Sequence, residues 1–176
     1  MTRFLSIQFL VPTITMTAML AAAIYGIFFK LPPESAETFT GEYELTLSDY
    51  EGEAVELADF KRDLLVVHVW ASWCPYCGEE LQNLMRLKDE YEDIEVLAVN
   101  RAESLSEARA FTDLNGIDTT KIKLLIDDDD SFYKSIGGYA MPETLFIDTG
   151  GEIRFHQRGP LNMEEARVQV RTLLGE

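Results

Sequence analysis

Leu64, Leu65, Val66, Val67 and Val69 make an almost unbroken apolar run that closes with Trp70 and Ala71. Short and rich in β-branched residues, it predicts a central strand over 64–71, covered on both faces. Beyond it, Leu81, Leu84, Met85 and Leu87 recur at helical spacing, predicting a helix that ends near Tyr91. Ile94–Val99 reads as a second buried strand. Ser104 with Glu107 is a capping box that opens a helix to Leu114, stopped by Asn115-Gly116. Lys121–Ile126 is a short strand, and Ser131–Ile136 a short helix stopped by Gly137-Gly138. Thr144–Ile147 and Ile153–His156 flank the turn Asp148-Thr-Gly-Gly151 as a hairpin. Asn162, with Glu165 three residues on, starts a last helix to Leu174. Upstream, Tyr43–Leu47 and Ala54–Leu57 flank the turn Asp49–Gly52, and Asp59–Asp63 is a loop or a single helical turn. The order is β-β, then β-α-β-α-β-(short α)-β-β-α. It predicts a mainly parallel centre, an antiparallel late hairpin and helices on both faces.

The first 30 residues follow another pattern. From Phe4 to Phe29 there is no charged residue, and a helix crossing a bilayer needs about 20 apolar positions. Ala21-Ala22-Ala23 offers small residues for signal cleavage, but Ile24–Phe29 continues the apolar run past it, which favours an uncleaved anchor. Arg3 lies before the run and Lys30 after it, a small bias toward a cytoplasmic N-terminus with the rest of the chain outside. Leu31-Pro-Pro-Glu-Ser-Ala-Glu37 reads as a stiff linker.

Charge narrows the partners. The chain carries a formal −16; Arg3 and Lys30 are the only charged residues of the first 30, so the remainder carries −18. Such a surface excludes nucleic acid and anionic head groups as natural partners, and favours solubility or a basic partner face. The acidic run Asp127–Asp130 matches no EF-hand spacing and reads as a solvated turn.

Cys74 and Cys77 are the only cysteines. Two residues apart, at the junction of a strand and a helix, they are better placed as a reversible couple than as a staple. At a helix N-terminus Cys74 would meet unpaired amides and the positive end of the dipole, which favour its thiolate, the attacking species. Cys77, one turn in, would face the core. Cys74 is therefore the expected nucleophile and Cys77 the resolving thiol. Pro75, placed at the first helical position, and Tyr76 tune the pair by fixing which amides face Cys74. A zinc half-site is the competing reading, but only His68 and His156 remain as histidine ligands, so neither metal nor cofactor is expected.

Trp70-Ala-Ser-Trp-Cys-Pro-Tyr-Cys77, followed by Gly138-Tyr-Ala-Met-Pro-Glu-Thr-Leu-Phe-Ile-Asp148, resembles the membrane-anchored thioredoxin-like oxidoreductases of bacteria, of the TlpA/ResA and cytochrome c maturation types. The resemblance covers roughly Tyr43 to Glu176. It implies an α/β thioredoxin fold, and with the early hairpin and the apolar N-terminal run read above, the chain is expected to be a thioredoxin fold with an N-terminal β-hairpin extension, preceded by one transmembrane helix: 1–30 an anchor or signal peptide, 31–42 a linker, 43–176 the thioredoxin-like domain. It implies thiol–disulfide exchange outside the cytoplasm, on the periplasmic or cell-surface side. Pro142 matches the family's cis-proline, with Met141 offering backbone to a substrate peptide and Trp73 shaping the surface around Cys74. Glu143 is either a buried acid that tunes the pair or an exposed rim charge. Protein disulfides such as those of apocytochrome c are the implied substrates, and a membrane thiol-transfer protein of the DsbD/CcdA type the implied reductant. The Thr-x-x-Cys site of peroxide-reducing relatives is missing.

His68 departs from the family, whose members carry Asp or Asn there. Period two puts it on one strand face with Trp70. It is either a base that takes the proton of Cys77 during resolution or a hydrogen-bonded core residue. His156, on the late hairpin, reads as a surface residue. Three functions share these residues: a tethered reductase, a tethered disulfide donor, and a non-catalytic binding module.

Overall fold

The computed structural model describes residues 46–60 and 62–176. The expected anchor, the linker and the start of the Tyr43–Leu47 strand lie outside the described residues. Among those described, no helix is long and apolar enough to cross a membrane.

Seven strands form one sheet: β1 (Thr46–Asp49), β2 (Ala54–Glu56), β3 (Leu64–Trp70), β4 (Ile94–Arg101), β5 (Lys123–Asp127), β6 (Glu143–Asp148) and β7 (Ile153–Arg158), in the order β2-β1-β5-β4-β3-β6-β7. The three strands joined by helices, β3, β4 and β5, pair in parallel; every other pairing is antiparallel. The helices are α1 (Cys77–Glu90), α2 (Leu105–Leu114), α3 (Ser131–Ser135) and α4 (Met163–Leu174). Both anticipated capping boxes form, Ser104 with Glu107 and Asn162 with Glu165. This is a thioredoxin-like α/β fold with the β1–β2 hairpin added at one edge.

The position of β3 organises the rest. All seven of its residues are buried. Leu64, Val66 and Trp70 pack on one face with Cys74, Cys77, Leu81, Leu84 and Leu87 of the α1 region and with Val170 of α4. Leu65, Val67 and Val69 pack on the other with Leu97, Val99, Leu145 and the α3 side chains Phe132 and Tyr133. A strand buried on both faces needs apolar residues at every position, so the run is continuous rather than alternating. Two local readings shift. The single helical turn falls at Leu57–Asp59. The helix after the cysteines opens at Cys77, with Tyr76 as its N-cap, and not at Pro75.

Phe146 is fully buried at the centre of β6, its ring 5.8 Å from that of Phe155. Phe146→Ala should lower unfolding free energy by about 3–5 kcal/mol in urea titrations, since the packed α1 face can collapse only in part around the loss.

Candidate active site

The end of β3 delivers the cysteines. After Trp70 the chain leaves the sheet, and Cys74 donates its amide to Ala71 at 3.1 Å. Cys77 then donates to the Cys74 carbonyl at 3.4 Å, closing a turn over Pro75 and Tyr76. Tyr76, at φ −98° and ψ −18°, has the third-residue geometry of a type I turn. Proline suits the second position of that turn, which is why Pro75 precedes the helix instead of starting it. The two sulfurs are joined in a disulfide. Cys74 is 3% exposed and Cys77 0%, so only the first retains any solvent access. Trp73 and Tyr76 beside them are exposed.

Glu103 tethers this loop. Its carboxylate accepts the Ser72 amide at 2.8 Å, the Ser72 hydroxyl at 2.5 Å and the Asn100 side-chain amide at 2.7 Å. Ser72 stands two residues before Cys74, so the tether fixes where the strand exit points.

The antiparallel register pairs Val69 with Glu143. The residues just before β6 therefore lie at the sheet end from which Cys74 emerges. Here the Met141–Pro142 peptide is cis. Met141 packs partly against both cores, and Tyr139 is 78% exposed. Gly138 leaves room for the Tyr133 ring: a Cβ there would meet it at 2.3 Å. Tyr133 donates its hydroxyl to the Ala140 carbonyl at 2.7 Å. Burial and the nearby Glu143 charge push its phenol up to about 12.

Glu143 is wholly buried, so it is not a rim charge. One oxygen accepts the amides of Tyr139 and Ala140, each at 2.7 Å, with the Tyr133 hydroxyl oxygen 3.4 Å away. The other meets His156 Nε2 at 2.7 Å. Burial alone would raise this carboxyl, but the His156 hydrogen bond and the two amides outweigh it, and it titrates below the ordinary carboxylate range. His156, expected at the surface, is turned inward with its side chain 8% exposed. A bulge at Phe146/Ile147 explains the difference, because it shifts the β7 register so that His156 pairs with Leu145.

A second polar cluster lies on the α1 face. His68 is fully buried, with Nδ1 3.0 Å from the Thr144 hydroxyl and 3.4 Å from a Glu80 oxygen. Thr144 donates its only proton to that Glu80 oxygen at 2.9 Å. It must therefore accept at His68, so Nδ1 carries a proton, and in the neutral ring Nε2 keeps a free lone pair. Nε2 is buried and meets no partner among the described residues. The other Glu80 oxygen accepts the Leu161 amide at 3.3 Å. Glu80 sits one turn after Cys77 on the same buried helix stripe.

The structure thus brings Cys74, Cys77, Pro75, Tyr76, Trp73, Met141 and Pro142 to one end of the sheet, with His68 inside on the α1 face. Glu143 stands on the opposite face, in the layer of Leu145 and Tyr133. Glu80, Glu103 and Thr144 join the site without having been singled out in the sequence, and His156 joins it against its reading as a surface residue. Glu80 had a visible signal, an acid at the third residue after Cys77 on an otherwise apolar stripe. Among the described residues, no group of three or more His, Cys, Asp or Glu side chains is arranged to hold a metal.

The AhpC/TSA family model matches residues 35–156. The thiol:disulfide interchange protein DsbE of Allochromatium vinosum is 31% identical, over 94% of this chain and 91% of the relative. The thiol-disulfide oxidoreductase ResA of Geobacillus thermodenitrificans is 25% identical, over 92% and 93%. Among solved structures, MTB dsbF superposes with a TM-score of 0.67 at 20% identity, over 73% of this chain and 94% of that one.

The direction of the Glu143 shift sets a pH signature. Its folded pKa lies below the unfolded value, so its contribution is present above an unfolded pKa of about 4.3 and lost as pH falls through the folded one. Glu143→Gln should be less stable than the native chain by about 1–3 kcal/mol at neutral pH. That gap should begin to narrow as pH falls below the unfolded pKa of about 4.3 and close as pH passes the lower folded pKa, where the native carboxyl also becomes neutral. Paired denaturation curves across pH give the difference directly.

Proposed function

The chain belongs to the AhpC/TSA family, within it to the thiol–disulfide oxidoreductases of the ResA and DsbE type, and from that premise we propose that it reduces disulfides of selected proteins outside the cytoplasm. The observation that carries the reading is the Cys74–Cys77 pair at the exit of β3, at the same sheet end as the Met141–Pro142 step. Resemblance to the cytochrome c maturation thioredoxins supports reduction over oxidation, with apocytochrome c cysteines as substrate. The apolar run Phe4–Phe29 supports a tether with its N-terminus in the cytoplasm.

In the reduced protein the Cys74 thiolate attacks one sulfur of a substrate disulfide. A bond forms between Cys74 and the substrate, the substrate's own S–S bond breaks, and its second sulfur leaves as a thiolate. Met141 offers backbone to the substrate segment beside Pro142, and Trp73 flanks it. Cys77 then gives its proton to His68 Nε2 and attacks the Cys74 sulfur. The remaining substrate sulfur departs, and the Cys74–Cys77 disulfide seen here is the result. Two electrons have passed to the substrate; one proton returns from His68 and solvent supplies the other. A dithiol of a membrane thiol-transfer protein of the DsbD/CcdA type then restores the reduced pair by the same exchange in reverse. Pro75 and Tyr76 adjust the balance of these steps through the turn they form.

Two experiments test the reading. Cys77→Ser cannot resolve, so it should accumulate mixed disulfides through Cys74 with protein partners in membranes of its host. Their absence would support a binding module in which the cysteines take no part. The potential of the pair, titrated against glutathione with Trp70 and Trp73 fluorescence as the probe, should lie well below about −200 mV. A value at or above that level would instead support a disulfide donor.

His68 has its own test. His68→Asn removes the Nε2 acceptor but leaves a polar side chain, and should slow mixed-disulfide resolution by about 10- to 100-fold. Capture of substrate by Cys74 should be preserved. Stopped-flow traces of both steps between about pH 6 and pH 8 separate them, and unchanged resolution would remove His68 from the mechanism.

A further inference from the structure

Glu143 lies too far into the α3 layer to act on the sulfurs by contact. Cys74 and Cys77 pack in the core on the α1 face, whereas Glu143 shares a face with Leu145 and Tyr133 on the other. What its carboxylate holds instead is the loop before Pro142, through the amides of Tyr139 and Ala140. A buried carboxylate keeps such bonds only if its second oxygen is also satisfied, because an unpaired buried charge is strongly unfavourable. His156 Nε2 is the one partner of that oxygen among the described residues. The same face of β7 supplies a second support two residues on. Arg158 pairs in register with Glu143, and its guanidinium lies 5.2 Å from the centre of the exposed Tyr139 ring. Gly159 closes the set by donating its amide to the Pro142 carbonyl at 2.8 Å. The edge strand β7 thus braces the whole segment from Tyr139 to Pro142.

We propose that His156 is a positioning residue: acting through Glu143, it fixes the loop Tyr139–Pro142 on which a substrate peptide docks, and sets peptide affinity without setting the reactivity of Cys74. The proposal rests on the functional reading above, in which the backbone around Met141 receives the substrate. It separates two properties of one site. Capture of a peptide needs the loop in place, whereas attack on a small disulfide needs only the thiolate.

The test uses the full chain, reduced beforehand, in single-turnover oxidation followed by tryptophan fluorescence. One oxidant is a synthetic peptide with a single intramolecular disulfide; the other is the small aromatic disulfide DTNB. His156→Leu should raise the half-saturating peptide concentration by about tenfold or more while the limiting rate and the DTNB rate stay within about twofold. His156→Gln, whose side-chain amide can donate to the same oxygen, should return half-saturation to within about threefold of the native value. Hydrogen exchange should quicken at the Tyr139 and Ala140 amides in His156→Leu and stay unchanged in β3, which a general loss of stability would not produce. Unchanged half-saturation in His156→Leu overturns the proposal, and so does a DTNB rate that falls in step with the peptide rate. If His156→Leu does not fold, His156→Asn, too short to reach the carboxylate, is read by the same criteria; failure of both to fold makes His156 structural and overturns it. A native chain that reacts with DTNB but with no peptide disulfide overturns the functional reading itself, and this proposal with it.

Discussion

A carboxylate withdrawn from water must be given donors, and around this redox pair two buried glutamates, Glu80 and Glu143, and the half-buried Glu103 hold backbone that would otherwise be free. Glu103 takes both donors of Ser72, just before the cysteines. Glu143 takes two successive amides of the loop before Pro142. Glu80 takes the Leu161 amide and the Thr144 hydroxyl behind Cys77. Hydrogen bonds to charged groups are each worth about 1.5–3 kcal/mol net, and losing one leaves a buried charge unmet. Segments that carry no regular ladder therefore gain the rigidity of one. Exposed loops usually lack such anchors and move accordingly.

The sheet divides these duties between its faces. β3 is buried on both sides, and alternate residues look into different cores. On the α1 face stand the two cysteines and the buried polar cluster of His68, Thr144 and Glu80. On the α3 face stand Glu143 and Tyr133, which hydrogen-bond the loop before Pro142, and His156, which holds Glu143. A change on one face need not disturb the other, because the strand between them is held by its neighbours β4 and β6. Under the proposed function, reactivity and recognition would be separable in a site only a few residues wide.

Most of the architecture was legible in the chain. Continuous apolar runs identified the central strands, both capping boxes identified helix starts, and the Asp148–Gly151 turn identified the late hairpin. The parts that were not legible share a cause, in that local periodicity does not report what lies across a bulge or on another element. Ile153 and Phe155 look like one inward face of a strand, which puts His156 outward. The register shift at Phe146/Ile147 instead pairs Phe155 with Phe146 and Ile153 with Ile147, and turns His156 toward Glu143. Glu103 looks like part of the approach to the Ser104 cap, and nothing nearby in sequence says that it reaches back to Ser72. Pro75 looked like a helix-initiating proline because that position and the second position of a type I turn ask for the same φ.

The polar chemistry inside also bears on what remains outside. Glu143 and Glu80 turn their oxygens to internal donors and do not reach the mouth of the site. Exposed beside the pair are Trp73 and Tyr76, with Tyr139 on the facing loop. Aromatic rings bind neighbouring chain segments through area and shape, with small sensitivity to salt. The net negative charge acts at longer range, disfavouring acidic segments and attracting basic ones before contact. Encounter and docking then depend on different physics. Ionic strength should act on the first; if the Tyr139 loop docks the substrate as proposed, its fixed placement acts on the second, and the brace behind it matters most once a partner has already arrived.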